Sequence, residues 1–324
     1  MCTIVHILRQ LARLLIGMAA LAAGNVHAQT FTSGEHRFIL RVGDTDRHYL
    51  VHVPARYQAA TAHPVVVMLH GGGGTSRAAA TESGWAAKAD EANFVAVFPD
   101  AMPPDPTRPG QFRTNPQLWN DGSDRFYRGQ KAPDDVAFID AMLDDLARRF
   151  PVDKRRIYAT GFSNGASMSF RVGVELSHRF AAIAPVAGAL WREPGTLKHP
   201  VPMLYITGTA DPLNLIEGGV PKLLNGAYDP VRAKAKPPVR ESIVKWARAL
   251  GIPTVPRSTT DADGIRTETY GPGAEVVYIT IEGMGHHWPG GRSLLPESMV
   301  GTWSGKVRAT DVIWEFFRRH AKGG

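Results

Sequence analysis

The run Gly161-Phe162-Ser163-Asn164-Gly165 constrains this chain more than any other stretch. It follows a short apolar segment, residues 156–160, and precedes residues 166–176, which can form a helix. A G-x-S-x-G run between a strand and a helix makes a turn so tight that the residues two positions either side of the serine must lack Cβ atoms. The turn lifts the serine hydroxyl clear of the sheet edge. Out of that context, the same five residues are an ordinary glycine turn bearing a surface serine. What separates the two readings is whether an acid and then a histidine follow in the chain, each just after a strand.

Strand and helix patterns alternate along most of the sequence. Residues 38–40 and 48–53 flank a Gly43-Asp44-Thr45-Asp46 turn and predict an antiparallel hairpin at a sheet edge. Residues 64–69 are unbroken apolar sequence, as a strand buried on both faces requires, and run into His70 and four glycines at 71–74. A helix over 85–92 and a strand over 94–98 are predicted next. Residues 101–133, rich in Pro, Gly, Arg and Asn, break the rhythm. A loop of that length inside a compact domain is functional or disordered, and it reads as a substrate-side wall. From Asp134 onward, Val136, Ile139, Leu143, Leu146 and Phe150 recur at spacings of three and four, which makes one apolar helix face. The basic cluster Lys154-Arg155-Arg156 reads as a solvated turn before the next strand. Further strands are predicted over 181–186, 201–207 and 275–281, and helices over 242–250 and 311–317. The alternation predicts an α/β fold: a mostly parallel central sheet with helices on both faces, in a single domain.

Groups with chemistry in such sheets sit beyond the carboxyl ends of strands. His70, Ser163, Asp211 and His286 all fall there. A serine hydroxyl needs a base within hydrogen-bond reach. His286 is expected to supply it, because it follows the final strand in a glycine-rich loop, whereas the adjacent His287 would point elsewhere. Asp211 lies directly after a strand, between Ser163 and His286 in sequence, and would hold the imidazole in the right tautomer. Its structural alternative is a turn or helix-capping aspartate. Asp100 and Asp121 precede the serine and suit the role less well. Two backbone N–H groups should face the developing oxyanion, from Asn164 and from Gly72. Trp119 and Trp288 are candidates for the substrate-binding walls, with core packing as the alternative. His286-His287 has no spaced partners and no H-E-x-x-H occurs, so neither a metal nor a cofactor is expected.

The first residues belong to an export signal rather than to the fold. Arg9 and Arg13 form a positive region, residues 14–23 a short apolar one, and Val26-His27-Ala28 a small-residue cleavage site. The apolar run is far short of the ~20 residues that span a bilayer. The expectation is a signal peptide over 1–28, a catalytic domain over 29–324, and no membrane anchor after cleavage. The one cysteine, Cys2, lies in the leader, so the mature chain would have no disulfide. The formal charge is +7, with basic residues scattered and no nucleic-acid module.

Four segments together carry a resemblance: His70 with the glycines at 71–74, Gly161 to Ala166, Gly208-Thr209-Ala210-Asp211-Pro212, and Gly285-His286-His287-Trp288-Pro289-Gly290. They resemble the polyhydroxybutyrate depolymerase-like esterases, a group that includes feruloyl and acetylxylan esterases. The resemblance spans residues from about 35 to about 320, and the G-H-x-W-P-G element is its most specific part. It implies an α/β-hydrolase fold, carries the catalytic histidine onto His286, and supports Asp211 as the acid. The implied activity is an exported serine ester hydrolase, secreted or periplasmic, acting on hydroxyalkanoate oligomers or polymer. Feruloyl or acetylxylan esters are the alternative. Many secreted relatives carry disulfides, and dedicated depolymerases often add a linker and a polymer-binding domain. Neither is seen in this sequence, which favours soluble oligomers or small esters. A serine peptidase and a non-catalytic binding domain are the remaining readings.

Overall fold

Apolar segments that alternate with helices assemble here into one mixed sheet. The computed structural model describes residues 31–126, 130–221, 234–273 and 275–323. Among these, ten strands are present: β1 (Gly34–Val42), β2 (Thr45–Val53), β3 (His63–Leu69), β4 (Val95–Pro99), β5 (Val152–Phe162), β6 (Ala182–Val186), β7 (Met203–Gly208), β8 (Ser258–Ala262), β9 (Ile265–Tyr270) and β10 (Val276–Ile281). The helices are α1 (Ser76–Ser83), α2 (Trp85–Ala92), α3 (Asp135–Arg149), α4 (Asn164–Glu175), α5 (Val239–Ala249), α6 (Glu297–Val300) and α7 (Ala309–Phe317).

The strand order is β1-β2-β4-β3-β5-β6-β7-β10-β9-β8. The six strands from β4 to β10 in that order run parallel, and antiparallel pairs close both ends. All seven residues of β3 are buried, as its unbroken apolar sequence requires at the sheet centre. Successive side chains of a strand point to opposite faces, so each face has its own core. On one face Val65, Val67 and Leu69 pack with Phe138 and Met142 of α3, Phe170 of α4 and Trp246 of α5. On the other, Val66 and Met68 pack with Trp85 of α2 and Ile313 and Phe317 of α7.

The structure departs from the sequence expectation in three places. Lys154, Arg155 and Arg156 lie inside β5 rather than in a turn, in its first half, where the strand is only partly buried. The hairpin of β8 and β9 is unpredicted, because every residue of β8 is exposed and polar sequence at a sheet edge has no apolar period. Helices α1 and α6 are likewise additions. Residues 101–133 hold no helix or named strand among those described, only an isolated bridge between Gln111 and Asn115. The expected leader and Cys2 lie outside the described residues. Among those described, no helix is long and apolar enough to cross a membrane.

Candidate active site

Strand β5 delivers Ser163 at its carboxyl end, one residue before α4 begins. Ser163 adopts φ 56° and ψ −116°, a backbone conformation that a residue with a Cβ holds only when its surroundings impose it. The flanking glycines show what imposes it. A Cβ on Gly161 would lie 2.4 Å from the Gly165 carbonyl oxygen, and one on Gly165 would lie 2.2 Å from the Leu69 carbonyl oxygen. The turn is therefore pressed against the end of β3, and only glycine fits on either side. Ser163 N–H donates to Val186 O at 2.9 Å, which ties the turn to β6 as well. Among the described residues, Ser163 Oγ has no hydrogen-bond partner.

The end of β3 supplies the second wall. His70 Nε2 accepts from the Ala101 N–H at 3.1 Å, which leaves the ring proton on Nδ1 to be donated to Gly71 O at 2.8 Å. Burial lowers the His70 pKa and outweighs the nearby Asp100 carboxylate, so this tautomer is neutral. Gly74 N–H donates to the same Gly71 oxygen at 2.9 Å. In a trans peptide the carbonyl and the following N–H point opposite ways. Fixing Gly71 O on His70 and Gly74 thus turns the Gly72 N–H the other way. Gly72, Ser163 and Asn164 line one cleft together with His286. Asn164 opens α4, where helix N–H groups have no intrahelical acceptor and the dipole favours negative charge.

Two further strand ends bring the acid and the imidazole together. Asp211 Oδ2 accepts from His286 Nδ1 at 2.7 Å. Its Oδ1 accepts from the N–H groups of Leu213 at 2.8 Å and Asn214 at 2.7 Å, so Asp211 also makes the turn after β7. Burial alone would push this carboxyl up. The His286 imidazole and these donors outweigh it and hold Asp211 below its ordinary value. The loops that carry the pair are laced to each other: Ala210 N–H donates to Met284 O at 3.0 Å, and Gly283 N–H to Thr209 Oγ1 at 2.9 Å. His287, by contrast, turns its Nε2 to Gly301 O at 2.7 Å.

The two tryptophans do not form the cleft walls that the sequence suggests. Trp119 is 0% exposed and Trp288 1% exposed. Trp288 packs in the core between the sheet and α7, with its Nε1 donating to Thr310 Oγ1 at 3.0 Å. Trp119 acts as a clasp instead. Its Nε1 donates to His70 O at 3.0 Å, and its backbone N–H donates to Asn164 Oδ1 at 2.8 Å. Its carbonyl accepts from Asn164 Nδ2 at 3.2 Å. Buried Asp121 completes the set, with Oδ2 accepting from Asn164 Nδ2 at 2.8 Å. Asp121, a poor acid candidate by sequence order, thus holds the side chain of the residue after the serine. The W-N-D run inside a loop was its one sequence signal. The cleft walls are apolar side chains, Phe112 and Leu118 from the 101–133 segment and Leu213, Leu295 and Met299 from other loops. Among the described residues, no group of three or more His, Cys, Asp or Glu side chains could hold a metal ion.

Comparison with known proteins fits this geometry. The family described as "Putative esterase" matches residues 42–211. A protein of Nocardia uniformis subsp. tsuyamanensis, Putative esterase NocK, is 28% identical over 85% of this chain and 80% of its own length. Feruloyl esterase B of Piromyces equi is 31% identical over 47% of this chain. Poly(3-hydroxyalkanoate) depolymerase C of Paucimonas lemoignei is 29% identical over 74% of it. The chain spans only 29% of the feruloyl esterase and 58% of the depolymerase. Among solved structures, an acetyl xylan esterase from Aspergillus awamori superposes with TM-score 0.54 at 16% identity, covering 78% of this chain and 94% of that one. That likeness establishes an α/β-hydrolase-like fold.

Proposed function

This chain belongs to the esterase family, and we propose that it works as an exported serine hydrolase of carboxylic esters. Ser163 is the nucleophile, His286 the base, and Asp211 the group that orients and charges against the imidazole. The N–H groups of Gly72 and Asn164 receive the oxyanion. The observation that carries the reading is the Asp211–His286 hydrogen bond opening on the same cleft as a serine held at positive φ. With Nδ1 committed to Asp211, Nε2 is the nitrogen left to take the Ser163 proton. Ser163 Oγ attacks the ester carbonyl, the alcohol leaves with the proton that His286 carried, and an acyl-enzyme remains. Water then attacks, His286 takes its proton and returns it to Ser163, and the carboxylic acid departs. Ser163 and His286 are not hydrogen-bonded to each other in this structure; such contacts commonly tighten once substrate is in place.

The substrate we favour is a hydroxyalkanoate ester, with 3-hydroxybutyrate oligomers as the test compounds. The match to a poly(3-hydroxyalkanoate) depolymerase over most of the chain and the apolar cleft walls support it. Feruloyl or acetylxylan esters are the second reading, supported by the feruloyl esterase match. Residues 1–28 are proposed to be removed on export, leaving 29–324 as one catalytic domain. Ser163→Ala should abolish turnover of a p-nitrophenyl ester, and labelling by a fluorophosphonate, with the fold intact by circular dichroism. Retained turnover in that variant would rule out the assignment.

A further inference from the structure

The peptide between Trp119 and Asn120 joins the clasp to a buried pair of charged side chains. Its oxygen accepts from Asn164 Nδ2 at 3.2 Å. Its N–H, which in a trans peptide points the opposite way, donates to Asp135 Oδ2 at 2.7 Å. One rigid plane therefore spans the gap between Asn164 and Asp135. The next peptide is held as well: Asn120 O accepts from Arg171 Nη1 at 2.6 Å. Asp135 opens α3 and Arg171 lies along α4, so each helix sends one side chain to the backbone of the same residue.

Asp135 does more than an acid in a first helical turn needs to do. Asp134 already caps α3, its Oδ1 accepting from Ala137 N–H at 3.0 Å. Asp135 is instead fully buried, and its Oδ1 accepts from Arg47 Nη2 at 2.6 Å. Arg47, from β2, is buried too, with its guanidinium 4.0 Å over the Phe138 ring. Burying such a pair costs desolvation that its attraction repays only in part, and apolar side chains of similar volume often leave a protein as stable or more so. Stability alone is therefore a weak reason for these two residues. What an apolar pair would lack is an acceptor for Asn120 N–H. Burial pushes the Asp135 carboxyl above its ordinary value, against the pull of Arg47 and of the Asn120 N–H. An oxygen can accept from Asn120 in either protonation state.

We propose that Asp135, with Arg47 behind it and Arg171 on the next peptide, is a positioning residue for the proposed oxyanion donor. Asp135 fixes the plane of the Trp119–Asn120 peptide, that plane fixes the Asn164 side chain, and the side chain fixes where the amide of residue 164 lies. Arg47, Asp135 and Arg171 line no part of the cleft, so its rate is set in part by residues that no substrate touches. This goes beyond the ester-hydrolase reading and rests on it.

The test compares two double variants that both remove the buried charges and differ only in the acceptor at position 135. Asp135→Leu with Arg47→Met leaves Asn120 N–H without one, whereas Asp135→Asn with Arg47→Met keeps an amide oxygen there. On p-nitrophenyl butyrate the leucine variant should lose at least about tenfold in kcat with KM within about twofold of the parent, because a displaced oxyanion donor acts on the transition state. The asparagine variant should hold kcat within about threefold of the parent. Arg171→Met, at the rim of α4, tests the second anchor and carries the decision if the leucine variant does not fold. It should lower kcat by about threefold or more at unchanged KM. Glu175→Gln, which removes the Arg171 ion pair but leaves its bond to Asn120 O, should not. Equal kcat in the two folded double variants, or a kcat unchanged by Arg171→Met, would overturn the proposal while leaving the ester-hydrolase reading standing. A parent protein that turns over no ester would remove that reading, and the proposal with it.

Discussion

Asn164→Ala probes how far the amide proposed to receive the oxyanion depends on its own side chain. Three hydrogen bonds disappear: two to the Trp119 backbone, at 2.8 and 3.2 Å, and one to the Asp121 carboxylate at 2.8 Å. The neutral pair contributes about 1 kcal/mol each and the charge-assisted bond about 2 kcal/mol, so the loss is about 4 kcal/mol. With an unfolding entropy of roughly 2.1 cal/mol/K per residue over a chain of this size, that corresponds to a fall in Tm of roughly 6 °C. The backbone N–H at position 164 survives the substitution, so the proposed oxyanion donor is loosened rather than deleted. Deleting one such donor outright lowers kcat by about 10²–10³, and loosening it should therefore lower kcat by about 10–100-fold. Calorimetry and p-nitrophenyl butyrate kinetics give both numbers on one preparation. Asn164→Asp sharpens the test, because it keeps an acceptor for the Trp119 N–H but sets a second carboxylate against Asp121. It should be less stable than the alanine variant at neutral pH and recover on acidification. A Tm unchanged within about 1 °C and a kcat within about twofold for Asn164→Ala would refute the clasp.

Asp211→Asn can keep the Leu213 and Asn214 bonds through its amide oxygen, but its NH₂ then faces His286 Nδ1 and drives the ring proton onto Nε2; kcat should fall by about 10⁴ with little change in Tm, and a loss under about tenfold would remove Asp211 from the proposed triad. Glu268 gives a stability prediction away from the cleft. Its buried carboxyl is drawn down from 4.5 to about 2, first by Arg240 against the opposing effect of burial, with Tyr270 and Arg266 assisting. The folded value lies below the unfolded one, so its stabilisation is present above 4.5 and is lost as pH falls toward about 2. Urea titrations should show Glu268→Gln destabilised at neutral pH, with the gap from the parent protein closing as pH drops through that window. A gap independent of pH would contradict it.

The elements legible in the sequence are those in which burial leaves a local mark. Strand β3 is apolar at every position from 64 to 69 because both of its faces are covered, and α3 shows its one buried face at spacings of three and four. The pairing of Asp211 with His286 follows from strand order, since both loops leave the same edge of a parallel sheet. Strand β8 is unreadable for the opposite reason: Ser258-Thr259-Thr260-Asp261-Ala262 is exposed throughout, and only its register with β9 makes it a strand. Trp119 and Trp288 are illegible in another way. An indole offers the same flat apolar surface to a substrate and to a core, and only the tertiary packing decides between them. The partner of Asn164 could not be read either, because Asp121 lies 43 residues away along the chain.

The clasp has a consequence for how specificity and rate can vary in this fold. Between Gln117 and Arg125, alternate groups face the cleft and the turn beneath it: Gln117 O accepts from Gly73 N–H at 2.6 Å, Leu118 lines the cleft, Trp119 and Asp121 hold Asn164, and Arg125 lines the cleft again. A wall residue, Leu118, and a residue that holds Asn164, Trp119, are thus adjacent on one piece of backbone. Enlarging or shrinking Leu118 should therefore shift the carbonyl and N–H of Trp119, and with them the Asn164 side chain. Reshaping this wall for a different acyl group is therefore not separable from the rate. The wall formed by Leu295 and Met299 differs, because the nearby backbone bonds hold the His286 loop, through Gly285 N–H to Thr302 O at 2.8 Å and His286 N–H to Val300 O at 2.6 Å. Substitutions there should act on the proposed base, His286, and those around Leu118 on the proposed oxyanion donor, Asn164. The two walls should be distinguishable by their kinetics: a shifted pH profile from the first, a uniform loss of kcat from the second.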